Sequence, residues 1–402
     1  MEKIISKIRL GVAVIFLFGI CLMFVTNEKS TAMPSLMLKY IKQNAETSWS
    51  PLSINSLEEK YSDSIKAKNN LYDFNSFLLG LTKVINTQYN NLDMYITDDK
   101  YIISTAKCTS GDYEIQSIVD LNKYLVKNNI GLLYVNQPTK YLDDSIFAEK
   151  YGIESFSNRN ADEFLSRLRE EKINYIDLRE SIKTDNLNIY DMFYRTDHHW
   201  TVPTGLWAAR KIAEGLNEYS GYNIDTTIWD IEKYKKEVYT GCWLGEQGRK
   251  FGAKYTGLED FTALYPTFET SFQFNYQPDA SNAYSGTFDD FVKRELFSPS
   301  QNVYDAASWH YAYEMTNCIN NNVSSGKILL LCDSYSQVME PFLALGVNEI
   351  NILSLRDLDD SFSLKKYISE NNYDTVVIAY AQFMIGAHDD PNSDNYRMFC
   401  FE

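Results

Sequence analysis

Residues able to move a proton crowd into one short stretch, Tyr194-Arg195-Thr196-Asp197-His198-His199-Trp200-Thr201, which holds two of the chain's four histidines beside a carboxylate. An imidazole titrates near neutrality and is the usual shuttle in acid-base catalysis, and an acid two residues away can fix its tautomer. A nucleophile candidate lies far downstream, where the aliphatic run ending Leu330-Leu331-Cys332 leads straight into Asp333-Ser334-Tyr335-Ser336. In an extended backbone Asp197 and His199 face one side and His198 the other. Asp197 would then hold Nδ1 of His199 and leave Nε2 to take the proton of Ser334. On that reading His198 supports the site or is structural.

Other chemistries fit parts of this pattern. Asp333 and Ser334 could merely cap a following helix, as short polar residues there often do. Asp197, His198 and His199 could be metal ligands, with His310 or His388 as a further partner, although neither has the spacing of a known motif. A metal-dependent phosphoesterase would need further aspartate-rich blocks, which the chain lacks.

The elements around these residues alternate. Apolar residues at helical spacing predict a helix near 113–127 and another near 161–171, each followed by a strand, at 130–136 and 173–178. The residues after Trp200 form a third helix, with Thr201 as N-cap and Pro203 in its first turn. Strands are expected at 327–332, 347–353 and 375–380, separated by helical segments near 337–345 and 362–370. Strands alternating with helices imply an α/β fold with a largely parallel sheet and helices on both faces. In such a sheet ligands sit beyond the carboxyl ends of the strands, which is where Ser334 would be delivered. Short strands near 94–96 and 101–103 lead into this region. Residues 221–322 break the pattern, being rich in Tyr, Phe, Thr and Gly, and read as a β-rich insertion walling the site.

A length of 402 residues with 45% hydrophobic and 14% aromatic content allows a large core and argues against disorder. The formal charge of −16 makes nucleic acid an improbable partner, since phosphate neutralisation needs clustered Lys and Arg. Lys3, Lys7 and Arg9 precede an uncharged apolar run from Leu10 to Val25. That run is long enough to cross a hydrocarbon core with the N-terminus in the cytoplasm, and longer than a typical signal h-region, although cleavage near Thr31-Ala32-Met33 would fit as well. The expected organisation is an anchor or signal over 1–26, a stalk over 27–70 and one catalytic domain over 71–402. The catalytic part would lie outside the cell membrane on a single-pass anchor, or be secreted. The six cysteines show no CxxC pair and indicate neither a zinc site nor a readable disulfide framework.

The run Thr196-Asp197-His198-His199-Trp200-Thr201, the downstream strand ending in Asp333-Ser334-Tyr335 and the N-terminal apolar segment together resemble the DHHW family of bacterial extracytoplasmic proteins. That family is similar to the SGNH-like domain of the alginate O-acetylation proteins. The resemblance implies a three-layer, flavodoxin-like α/β fold, with Ser334 as nucleophile, His199 as general base and acid, and Asp197 as its orienting partner. It also implies acyl transfer to, or hydrolysis from, a polysaccharide hydroxyl without any cofactor or metal, and a membrane-bound partner handing over the acyl group. No Gly-x-Asn block is evident for an oxyanion hole, so the amide of Tyr335 and the side chain of Gln382, after the last strand, are the candidate donors. Gln137 and Lys140, in the turn after a strand, together with His198 and Trp243, are candidate substrate contacts. Tyr255, Tyr265 and Trp309 could also stack on sugar rings, and Arg249 and Lys250 could meet an anionic polysaccharide. A protein that keeps such a cleft only to bind polysaccharide, as a scaffold in a modification complex, is the alternative.

Overall fold

A computed structural model describes residues 76–77, 79, 86–89, 92–140, 148–149, 152–277, 283–291 and 315–402. The expected anchor and stalk lie outside the described residues, as do Trp309 and His310. No described helix is long and apolar enough to cross a membrane. The chain divides into two compact units, Met1–Leu78 and Leu79–Glu402, and the second carries everything that follows.

A small antiparallel sheet comes first, from β1 (Asn86–Tyr89), β2 (Leu92–Ile96) and β3 (Ile102–Ser104). The chain then alternates: α1 (Asp112–Lys127), β4 (Gly131–Gln137), α2 (Ser157–Glu170), β5 (Tyr175–Asp177), α3 (Leu178–Thr184) and the long α4 (Val202–Ser220). Next comes an antiparallel ribbon of β6 (Tyr234–Trp243) and β7 (Glu259–Pro266), with the short α5 (Glu246–Phe251) between them. β8 (Phe272–Gln277), β9 (Tyr284–Gly286) and β10 (Met315–Asn320) follow. The chain closes with β11 (Lys327–Cys332), α6 (Glu340–Leu343), β12 (Glu349–Leu353), α7 (Leu364–Asn371) and β13 (Thr375–Ala381).

The central sheet has eight strands in the order β5-β4-β13-β11-β12-β10-β8-β9. The first five pair in parallel, and β10, β8 and β9 continue the sheet antiparallel. The expected β-rich insertion is therefore only partly a wall: β8, β9 and β10 extend the central sheet, while β6 and β7 form a separate ribbon.

Period-two alternation sorts the side chains of the parallel strands. Leu133, Val135, Ile328, Leu330, Val377 and Ala379 join the core that contains α4 and the ribbon, whereas Leu132, Tyr134, Leu329, Leu331, Val376 and Ile378 join the core under α1, α2 and α7. Three layers result. The helices present matching apolar faces, Ile115, Ile118, Leu121 and Leu125 on α1 and Leu206, Ala209, Ile212, Ala213 and Leu216 on α4. Thr201 does stand at the N-cap of α4 in extended conformation, but its hydroxyl pairs with Thr204 Oγ1 at 3.0 Å and caps no backbone N–H. The helix expected at 337–345 is instead a 3-10 turn, Ser334–Val338, followed by the single turn of α6. Pro341 enters at the start of α6, where its ring and missing N–H prevent a helix from running through from Ser334.

Candidate active site

The carboxyl ends of β4, β11 and β13, adjacent parallel strands, deliver Gln137, Asp333-Ser334 and Gln382 to one edge of the sheet. The Asp-His-His segment lies between the bridge pair Phe193 and Trp200 and immediately before α4. It is not extended, contrary to the sequence reading: residues 195–199 form a turn and bend. Both imidazoles consequently reach the same side. Asp197 Oδ1 accepts the backbone N–H of His199 at 3.1 Å and lies 2.7 Å from His199 Nδ1 and 3.4 Å from His198 Nδ1.

Asp197 is buried, and its other oxygen is spoken for. Oδ2 accepts the N–H of Glu246 at the start of α5, at 3.1 Å. Burial opposes the charge on Asp197, but the adjacent His199, through its charge and its hydrogen bonds, outweighs burial and holds the carboxyl well below the usual carboxylate range. For His199 burial likewise works against the charged ring, and the charge and hydrogen bond of Asp197 override it, raising the imidazole above its ordinary value. His199 Nε2 is buried and has no hydrogen-bond partner among the described residues. A base oriented through Nδ1 with Nε2 open is the arrangement general-base catalysis requires.

His198 behaves differently. Its ring lies against that of His199 with centroids 3.8 Å apart, and burial together with the neighbouring His199 pushes its pKa down to about 3. Asp197, His198 and His199 form the one group of potential metal ligands among the described residues, their ligand atoms all within 4.8 Å of one another. The 2.7 Å contact between Asp197 Oδ1 and His199 Nδ1 is hydrogen-bond length, and both carboxylate oxygens already accept backbone N–H groups. That donor set fits a hydrogen-bonded acid-base pair better than a closed cation site, which normally needs a fourth ligand.

The turn is held by parts of the chain with no sequence signal next to the histidines. Glu259, at the start of β7, accepts the N–H of Arg195 at 2.6 Å through Oε1 and the N–H of Thr196 at 2.7 Å through Oε2, and the Thr196 hydroxyl also donates to Oε2. Gly245 donates its N–H to Thr196 Oγ1 at 3.0 Å, and Gly248 donates to the Thr196 carbonyl at 2.7 Å. A Cβ on Gly245 would lie 2.4 Å from both Asp197 Cβ and the Thr196 carbonyl oxygen. The Gly-x-x-Gly pattern at 245–248 is visible in the sequence, but Glu259 lies more than sixty residues from the turn it braces.

Ser334 opens the 3-10 turn after β11 and is half-buried. The preceding Asp333 is buried. Its Oδ1 accepts the N–H of Tyr335 at 2.9 Å and its Oδ2 accepts the N–H of Ala381 at the end of β13 at 2.7 Å. Burial pushes its carboxyl up to about 6 despite these bonds and nearby Arg356. Two contacts lock this turn to the histidine segment. Trp200 Nε1 donates to the Tyr335 carbonyl at 2.8 Å, and Gly205 on α4 passes so close that a Cβ there would sit 2.4 Å from the Val338 carbonyl oxygen. The Tyr335 ring lies 5.4 Å from that of His199 and 5.7 Å from that of His198.

Several candidate contacts have other employment. The Tyr335 amide is bonded to Asp333, so it is not free to hold an oxyanion. The Gln382 amide donates to Ser157 Oγ at 2.6 Å, Asn158 Oδ1 at 3.1 Å and Thr139 Oγ1 at 3.2 Å, tying the end of β13 to α2. Gln137 is fully buried and donates to Ser336 Oγ at 2.7 Å. Trp243 is a core residue, its ring 5.0 Å from Tyr194 and 5.1 Å from Phe261, and Tyr265 is buried in the same core. Tyr255 carries the Lys100 ammonium 3.8 Å from its ring centre. Lys140 is buried too. Its Nζ donates to the carbonyls of Ile102 at 2.7 Å and Arg195 at 3.1 Å and lies 3.4 Å from Gln247 Oε1, so it braces the histidine turn from beneath. Desolvation pulls its pKa down to about 7. Cys108, Cys242, Cys318, Cys332 and Cys400 are all free thiols.

Residues 98–294 match the family model of the SGNH hydrolase-like domain of acetyltransferase AlgX. The match takes in Asp197, His198 and His199 and ends before Ser334. Among solved structures the chain is similar to PatB1 of Bacillus cereus bearing a sulfonyl adduct, at 21% identity and TM-score 0.62, covering 78% of this chain and 99% of that one. It is also similar to a DHHW family protein from Eubacterium siraeum, at 16% identity and TM-score 0.55, covering 78% of this chain and 97% of that one. At these identities the likeness is one of fold. No curated protein matches the chain. The expected three-layer α/β fold is present, and residues 98–294 are similar to the SGNH hydrolase-like domain of acetyltransferase AlgX, as the sequence resemblance implied.

Proposed function

We propose that this chain is a serine O-acetyltransferase acting on polysaccharide hydroxyls through Ser334, His199 and Asp197, tethered outside the cell membrane by its N-terminal apolar run. The observation that carries the reading is His199 itself, oriented by Asp197 at 2.7 Å through Nδ1, with Nε2 buried and unpartnered, in a turn hydrogen-bonded through Trp200 to the residue after Ser334. The match to the SGNH hydrolase-like domain of acetyltransferase AlgX supports acetyl transfer as the reaction, and a polysaccharide as acceptor follows from the resemblance to the alginate O-acetylation proteins.

In the first half-reaction His199 Nε2 takes the Ser334 proton as Oγ attacks the donor carbonyl. The tetrahedral intermediate collapses to an acetyl-serine, and the departing alkoxide takes the proton back from His199. In the second half an acceptor hydroxyl gives its proton to His199 as it attacks the acetyl-serine, and the departing Ser334 Oγ takes that proton back from the imidazolium. Transfer wins over hydrolysis to the extent that the bound acceptor excludes water. With the Tyr335 and Gln382 amides committed elsewhere, the amide of Ser334 itself, first in its turn and without an acceptor among the described residues, is the donor suited to the oxyanion. Asp197 keeps its charge throughout and stabilises the imidazolium.

A fluorophosphonate or sulfonyl fluoride probe tests the assignment. Labelling confined to Ser334 and abolished by His199→Ala is expected. A folded protein that fails to label, or labels equally well without His199, would leave the polysaccharide-binding alternative.

A further inference from the structure

The histidine next to the base has no part in the proton transfers above, yet it is the group that covers the base. The His198 ring lies 3.8 Å from the His199 ring at an interplanar angle of 37°. It is flanked in turn by Tyr335 at 5.7 Å and Phe383 at 6.4 Å. Its Nδ1 is 3.4 Å from Asp197 Oδ1, too long for a strong hydrogen bond, and 3.8 Å from Glu246 Oε2. Asp197 Oδ1 already receives the N–H and the ring of His199 at shorter range. What His198 offers the base is mainly an aromatic face.

We infer that His198 is a positioning residue whose uncharged ring supports the imidazolium that forms on His199 when Ser334 gives up its proton. This rests on the assignment of His199 as the base. A cation gains from the face of a neighbouring aromatic ring, and the gain grows where water is excluded. The face must stay neutral to be attractive. Burial and the adjacent His199 keep it so, with Lys140 and Arg356 disfavouring its protonation and Asp197 favouring it. The charged groups facing His199 are Asp197 on its own turn, Glu246 on α5 and Asp333 before the serine turn, all carboxylates that favour the imidazolium.

Two substitutions of similar bulk separate the face from the nitrogen. His198→Phe keeps an aromatic surface and loses Nδ1, and His198→Leu fills the space without a π-system. Two readouts are made on each full-length variant: the second-order rate of fluorophosphonate labelling against pH, and the His199 titration followed by nitrogen-15 NMR, which needs no enzymatic activity. Thermal unfolding identifies a variant that has lost its fold, and His198→Tyr then replaces His198→Phe.

His198→Phe is expected to keep the labelling rate within about threefold and the His199 pKa close to the wild-type value. His198→Leu is expected to lower that pKa by about one unit and the rate by about tenfold. Equal losses in both variants would move the role to the Nδ1 contact with Asp197 and overturn the inference, and so would no change in either. If wild-type Ser334 does not label at all, the proposed reaction fails, while the NMR comparison still decides whether the ring supports the cation.

Discussion

The indole nitrogen of Trp200 donates to the carbonyl oxygen of Tyr335 across 2.8 Å, joining the residue after the paired histidines to the residue after Ser334. Trp200 is fully buried at the N-terminus of α4, so one side chain sets both the start of the helix and the seat of the serine turn. Trp200→Phe keeps most of the packing and removes this hydrogen bond. It should cost about 0.5–1.5 kcal/mol in urea unfolding and reduce Ser334 labelling by about tenfold or more, because a small displacement of base from nucleophile is expensive. Labelling at the wild-type rate in the folded variant would show that the bond does not align the two turns.

Gly245→Ala tests the cradle on the other side of the histidine turn. The added methyl would meet Asp197 Cβ and the Thr196 carbonyl at 2.4 Å, and backbone cannot yield as a flexible side chain does. Overpacking of this kind should cost about 1–3 kcal/mol, and the labelling rate should fall further than stability alone explains. Equal rates for variant and wild type would mean that the carboxylate is held without α5.

The opposite shifts of Asp197 and His199 fix a pH dependence. The folded-state pKa of His199 is raised, so its contribution to stability is complete below its unfolded value of about 6.5 and disappears as pH climbs through the folded value. The Asp197 pKa is depressed, so its contribution is complete above about 3.9 and is lost as pH falls towards its folded value. The pair therefore stabilises most between these limits. The proposed reaction needs His199 neutral, and labelling should rise with pH along a limb centred above about 6.5. Asp197→Asn should shift that limb to lower pH and cut the plateau by about three to four orders of magnitude. A limb that stays in place would separate Asp197 from the titrating base.

Lys140 gives a second pH signature, in stability and with a different sign. Its pKa of about 7 lies below the ordinary lysine value because burial penalises the ammonium. Between pH 7 and about 10.4 the unfolded chain binds a proton that the folded chain does not, so this group makes stability increase with pH in that window. Lys140→Met removes the three contacts of Nζ and this dependence together. Its destabilisation, measured by chemical unfolding, should be larger at pH 9.5 than at pH 6.5. The same deficit at both would mean that Lys140 titrates normally.

The architecture was legible because the strands that form the parallel part of the sheet, among them Lys327–Cys332 and Thr375–Ala381, are continuous aliphatic runs, and because α1 and α4 repeat apolar residues at helical spacing. The antiparallel strands β8, β9 and β10 were not, since mixed polar and aromatic segments such as Phe272–Gln277 read alike as ribbon, wall or sheet until their partners are known. Within the site, Asp197, His199 and Ser334 stood out by residue type and local order, and their support did not. Glu259 accepts from the backbone N–H groups of Arg195 and Thr196 and Lys140 donates to the Arg195 carbonyl from remote positions, and nothing in a linear sequence marks a side chain that will bond to distant backbone. The same blindness made Gln137, Gln382 and Trp243 look available. A polar or aromatic side chain near a strand end can serve a ligand or the fold, and here Ser336, Ser157 and Phe261 take them up.

The proposed function requires a covalent step at Ser334 driven by His199. The most direct test incubates the intact protein with an activated acetyl ester, quenches in acid and maps the adduct by mass spectrometry. One acetyl group on Ser334 is expected in the wild type and none in Ser334→Ala or His199→Ala. Folded wild-type protein without that acetyl-serine, or an adduct on Ser334 that forms as fast without the imidazole of His199, would contradict it.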